Sequence, residues 1–89
     1  MKVEKEIVIK NKTGLHARPA ALFVQVANKF DSEITITKDD NEVNGKSIMG
    51  ILMLAAERGS KIIIKADGDD AESALEELSE ILLQETDLL

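Results

Sequence analysis

The sequence predicts an α+β fold, an antiparallel sheet of four short strands with helices packed on one face. Three observations carry this. Polar and apolar residues alternate from Glu33 to Lys38, as in a half-buried strand. From Ala71 to Leu82 apolar residues recur at helical spacing. Between and around these segments, strand and helix signals follow one another in the order β-α-β-β-α-β-α.

The first strand is read over Glu4–Lys10, β-branched in its middle and charged at both ends. Asn11-Lys12-Thr13-Gly14 supplies turn chemistry. A helix follows over His16–Phe30: Ala20, Phe23, Ala27 and Phe30 share one face with Val24 beside them, and Arg18, Leu22, Gln25 and Lys29 form the opposite stripe. Glu33–Lys38 is the second strand, with Ile34 and Ile36 on one face and Thr35 and Thr37 on the other. Asp39-Asp40-Asn41 is a hairpin turn into a short strand at Glu42-Val43. Ser47 precedes an apolar run from Ile48 to Ala56 and reads as the N-cap of a second helix, which Arg58-Gly59 would end. Lys61–Ala66 is the last strand. Asp67-Gly68-Asp69-Asp70 turns into the last helix, with Asp69 or Asp70 as its cap, and Thr86–Leu89 is expected to fray.

The chain has 89 residues, and one domain over 1–89 is expected. There is no Cys, so disulfides and thiolate metal sites are excluded. A single His makes no His-based metal site, and no metal or cofactor is expected. No apolar run approaches the ~20 residues of a membrane span, and Met1–Glu6 lacks the apolar core of a signal peptide. A cytoplasmic protein without membrane insertion is therefore expected. The net charge of −6 and two aromatic residues argue against direct nucleic-acid binding. That net charge conceals a division. Asp67–Leu89 holds nine acids and no Lys or Arg, whereas Lys10–Lys29 holds Lys10, Lys12, Arg18 and Lys29 and no acid.

The only His of the chain, His16, lies in this acid-free stretch, where a loop meets the start of a helix. Backbone N–H groups in a first helical turn have no intrahelical acceptor and, with the helix dipole, attract anions. Ala17, Arg18 and Pro19 form that turn. Pro19 is tolerated there because its missing N–H would have no partner, and Arg18 adds a planar cation with several donors. The positive helix end favours an anion attached to the ring. The arrangement suits a phosphoryl group carried reversibly on a ring nitrogen. A capping or surface His is the plain alternative. No Gly-rich nucleotide loop accompanies the site, so it has no evident means of binding a nucleotide.

Ser47 is read first as an N-cap, worth ~1 kcal/mol. It is also a candidate phosphorylation site, because a phosphate at a helix start is accommodated and changes surface charge without unfolding. Ile48, Met49 and Leu52 beside it form a candidate apolar contact patch. Leu22 and Gln25 on the outer stripe of the first helix extend the candidate partner surface.

Gly14-Leu15-His16-Ala17-Arg18-Pro19-Ala20 resembles the active-site signature of HPr, the histidine-containing phosphocarrier family of the bacterial sugar phosphotransferase system. Val43-Asn44-Gly45-Lys46-Ser47-Ile48-Met49-Gly50 resembles that family's second signature, around a regulatory serine. The resemblance extends over the whole chain. It implies an open-faced β-sandwich, a four-stranded antiparallel sheet covered by three helices. It implies that His16 takes a phosphoryl group on Nδ1 from phosphorylated enzyme I, which obtains it from phosphoenolpyruvate, and passes it to EIIA domains for sugar uptake. Arg18 would assist the phosphoryl group.

In members of the Gram-positive type, which Lys46-Ser47-Ile48-Met49 resembles, the serine matching Ser47 is phosphorylated by an ATP-dependent HPr kinase/phosphorylase. That form is corepressor for a catabolite-control transcription factor. The protein would thus be a substrate of other enzymes and not an enzyme, and a monomer. The paralogue Crh lacks the active His, so His16 argues against it. Gln25 and Asn28 stand where enteric members tend to carry basic residues. A second reading is a regulatory module acting mainly through phosphorylated Ser47, without sugar transport. A third, an acidic interaction domain with no covalent chemistry, is disfavoured by the two signatures.

Overall fold

A computed structural model of the chain describes residues 1–83. Its elements run β1 (Lys2–Val8), α1 (Ala17–Ala27), β2 (Glu33–Lys38), β3 (Asn41–Asn44), α2 (Ile48–Met53), β4 (Lys61–Asp67) and α3 (Ala71–Leu83). The four strands form one antiparallel sheet in the order β1-β4-β2-β3. The order of elements and the sheet-and-helices architecture are those the sequence predicts.

Register follows from the period of two in each strand. Ile36 of β2 stands between Val43 of β3 and Ile64 of β4, and Ile7 of β1 faces Ile62 of β4. These inward residues, with Ile34 and Ala66, bury against the helices, and Phe23 of α1 and Leu78 and Leu82 of α3 complete the core. The other face carries Glu4, Lys65 and Thr35 in one cross-strand row and Lys2, Asp67 and Glu33 in the next. That face is charged enough to stay in water, which is why three helices on one side suffice.

Element ends differ from the sequence reading for local reasons. β1 begins and ends two residues earlier than Glu4–Lys10, because its register on β4 runs from Lys2–Asp67 to Val8–Lys61. Ile9 stays buried and bonds to Ser60 and Gly59 outside the ladder. α1 is shorter than His16–Phe30. His16 is its N-cap, and Lys29 and Phe30 donate to Val26 and Ala27 in a tightened last turn. β3 gains Asn41 and Asn44, so the hairpin turn is the Asp39-Asp40 pair alone.

α2 ends at Met53, not Ala56, and Gly59 does not cap it. Leu54 and Ala55 bond back three residues, to Ile51 and Leu52, and Ala55 takes a left-handed φ of 51°. Leu54 and Ala56 still bury. The apolar run is therefore a burial requirement continued past the helix. α3 starts at Ala71 as expected, but the Asp70 carboxylate reaches across the fold to the α1–β2 connection, where it accepts from the Asp31 and Ser32 amides and the Ser32 hydroxyl. The Ser32 hydroxyl, then the Asp31 amide, holds this carboxyl below its ordinary value. The expected fraying of Thr86–Leu89 lies outside the described residues.

Candidate functional site

The loop into α1 is anchored from beneath. Gly14 has φ +75°, a left-handed conformation, and a Cβ there would stand 2.7 Å from the Ala56 carbonyl oxygen and 3.0 Å from Glu57 Cα. The neighbouring Leu15 is buried and its amide donates to that same Ala56 oxygen at 2.8 Å. Gly14 N–H donates to Asn11 O at 3.1 Å, and Asn11 is itself buried. Because α2 ends at Met53, Ala56 lies outside the helix and its carbonyl accepts from the His16 loop.

His16 follows this anchor directly. It is half-buried, with φ −96° and ψ −167°, and its carbonyl accepts the first helical bond, from Ala20 at 3.1 Å. Its amide donates to Gly14 O, and its side chain caps no helix amide. The ring is thus placed at the helix start. The next three residues are Ala17, Arg18 and Pro19. The Ala17 and Arg18 amides have no acceptor within the helix, and Pro19 has no N–H, so two helix-start donors stand next to the imidazole. Pro19 is buried, which pins the turn. Ala17 and Arg18 are exposed. The first turn of α1 contains no acid.

Ser47 is the N-cap of α2, and its Oγ accepts from the Gly50 amide at 3.0 Å. The side chain is half-exposed. α1 and α2 pack on one another. Of the candidate contact residues, Ile48 is 41% exposed, Met49 68% and Leu22 43%. Gln25 is also exposed, while Leu52 is half-buried and packs on the core. Met53, at 77%, is more exposed than Leu22, Ile48 or Met49, and the sequence reading does not place it on that surface. Its exposure comes from its place in the last turn of a short helix, which apolarity alone does not reveal.

Fold and site together define a small open-faced sandwich that presents one imidazole at a helix start, above a buried loop. A family model described as the PTS HPr component phosphorylation site matches residues 3–84. The HPr-like protein Crh of Halalkalibacterium halodurans is 57% identical over 76 residues, covering 85% of this chain and 90% of its own length. The crystal structure of phosphocarrier protein HPr from Bacillus anthracis is 53% identical, with a TM-score of 0.87 over 91% of this chain and 96% of that one. A crystal structure of Bacillus subtilis Crh, described as a domain-swapped dimer, is 44% identical, with a TM-score of 0.76 over 97% of this chain and 99% of that one. The chain belongs to the HPr phosphocarrier family. The family includes both phosphocarrier and regulatory relatives.

Proposed function

We propose that the chain, acting as one HPr-like domain, carries a phosphoryl group on His16. The observation that carries the reading is the imidazole at the α1 N-cap, beside the helix-start amides of Ala17 and Arg18. In the transfer, the phosphorus–nitrogen bond of phosphorylated enzyme I breaks as a bond to His16 Nδ1 forms. The Ala17 and Arg18 amides and the Arg18 guanidinium offset the charge that arrives with the group. An EIIA domain then takes the group by the reverse chemistry. The protein supplies position and charge compensation; enzyme I and EIIA supply the catalysis. The exposed Leu22, Gln25, Ile48 and Met49, with Leu52 beneath them, are the surface offered to these partners.

Ser47 adds regulation to this reading. Its hydroxyl is half-exposed at a helix start, a position that accepts a phosphate without unfolding the chain. An HPr kinase/phosphorylase would modify it, and a catabolite-control transcription factor would read the product. The relatives named Crh favour keeping a purely regulatory role as a second reading; His16 at a supported helix start favours transport.

A monomer suits the edge strand β1. Antiparallel pairing of two β1 edges about a two-fold axis at Lys5 opposes Lys5 to Lys5 and Glu4 to Glu6, and an axis at Glu4 or Glu6 opposes like acids. No helix among the described residues is long and apolar enough to cross a membrane, and function in the cytoplasm is part of the proposal. The test is incubation with enzyme I and labelled phosphoenolpyruvate. Acid-labile label on the wild type and none on His16→Ala is expected; label surviving that substitution contradicts the reading.

A further inference from the structure

Three consecutive residues tie down the segment before α2. Gly45 is buried against β2: its amide donates to Ile34 O at 2.7 Å, and a Cβ there would stand 2.6 Å from Ile34 Cγ2. The Lys46 amide donates to Asn44 Oδ1 at 2.9 Å, a local turn closed by the side chain. The Ser47 amide donates to Asn44 O at 3.1 Å. The Lys46 side chain then crosses to a different element, where its ammonium donates to the Phe30 carbonyl at 2.8 Å.

Phe30 lies just beyond the end of α1, and α1 has no basic residue in its last turn. The C-terminal end of a helix carries partial negative charge. Lys46 therefore brings to this helix end, from 16 residues away, an ammonium that bonds its carbonyl directly. A half-buried Lys held in this way loses side-chain freedom that an exposed one would keep. The bond fixes the segment that ends in Ser47 against the body of the domain.

We infer that Lys46 is a positioning residue for phosphoryl transfer to Ser47. The inference rests on the reading of Ser47 as the acceptor. In that reaction the bond from the γ-phosphorus of ATP to its bridging oxygen breaks, a bond to Ser47 Oγ forms, ADP leaves, and the hydroxyl proton passes to a base on the kinase. Oγ accepts from the Gly50 amide in the unmodified chain, so its proton points away from that amide. The Lys46 strap keeps this arrangement populated before the kinase arrives, and its loss lowers the fraction of chains in the competent form. The ammonium acts through Phe30 O and does not touch the phosphate.

The test uses the full chain, a purified HPr kinase/phosphorylase and radiolabelled ATP, with Lys46→Met and Lys46→Arg. Met keeps the length and removes the donors; Arg keeps charge and donors. Lys46→Met is expected to raise KM for the chain by about two- to fivefold, up to the full size of a lost hydrogen bond of ~1 kcal/mol, with kcat unchanged. Lys46→Arg restores KM. Amide exchange at Ser47 and Gly50 speeds up in the Met variant and returns in the Arg variant, while labelling of His16 by enzyme I is unchanged in both. Wild-type KM in Lys46→Met, or a KM in Lys46→Arg as high as in Lys46→Met, overturns the inference. Absence of Ser47 label on the wild type overturns the reading of Ser47 itself, a different result from equal labelling of wild type and variant.

Discussion

Gly14→Ala tests the support beneath His16. An L-residue held at φ +75° costs ~1–2 kcal/mol. The added Cβ would also stand 2.7 Å from the Ala56 carbonyl, a backbone atom that cannot rotate away. Relieving that overlap costs ~1–3 kcal/mol. Restricting the unfolded chain returns ~0.4–1 kcal/mol. The net loss is about 2–4 kcal/mol, or a fall in Tm on the order of 10–20 °C. Gly59→Ala is the matched control. Its φ is +91°, but nothing lies within 4 Å of an added Cβ, so only the conformational cost applies, about 0–1.5 kcal/mol. Urea denaturation of the three proteins gives the difference directly. Because Gly14 and Leu15 share Ala56 O, the fully folded Gly14→Ala variant is also expected to accept phosphoryl from enzyme I at least about tenfold more slowly, the cost of a displaced reacting group. Equal losses in the two Ala variants, or a Gly14→Ala protein as stable and as readily labelled as wild type, would show that the Ala56 contact does not support the His16 loop.

Two further outcomes concern the caps and the acid response. Ser47→Ala removes the acceptor of the Gly50 amide and is expected to cost ~1 kcal/mol in urea, to abolish labelling by an HPr kinase/phosphorylase and to leave His16 labelling intact. Asp70 has a folded-state pKa below the ordinary carboxylate value, mainly through the Ser32 hydroxyl and the Asp31 amide. A lowered carboxyl pKa stabilises the fold above the unfolded value and ceases to do so as pH falls through the folded value. Asp70→Asn is therefore expected to lower the urea midpoint at neutral pH and to converge with wild type well below pH 3.8, the ordinary value. A constant gap across that range would mean that the carboxylate contributes through shape and not charge.

The sheet was legible because Ile34 and Ile36 alternate with polar residues in β2, and because Ile62-Ile63-Ile64 is a short β-branched run in β4. α3 was legible for the corresponding reason at helical period. α2 was not. Its apolar run passes through Leu54 to Ala56, and a stretch that must be buried looks the same whether it is helical or extended. What ends the helix is a tertiary demand, the use of Ala56 O by Leu15, and no residue of the run announces it. The site divides in the same way. His16, Arg18 and Pro19 were evident from a single His in an acid-free segment at a helix start, while the Ala56 support, the Asp70 link to Ser32 and the Lys46 strap join residues 16 to 41 positions apart. Such pairs leave no periodic trace. Asp70 reads as a cap in sequence because an acid before a helix usually is one.

The claim that His16 is the carrier is tested most directly by phosphorus NMR of the chain after reaction with enzyme I and phosphoenolpyruvate. The account predicts one new phosphoramidate signal, lost on brief acid treatment and absent from His16→Ala. No such signal on a folded wild-type chain, or a signal that His16→Ala retains, would contradict it.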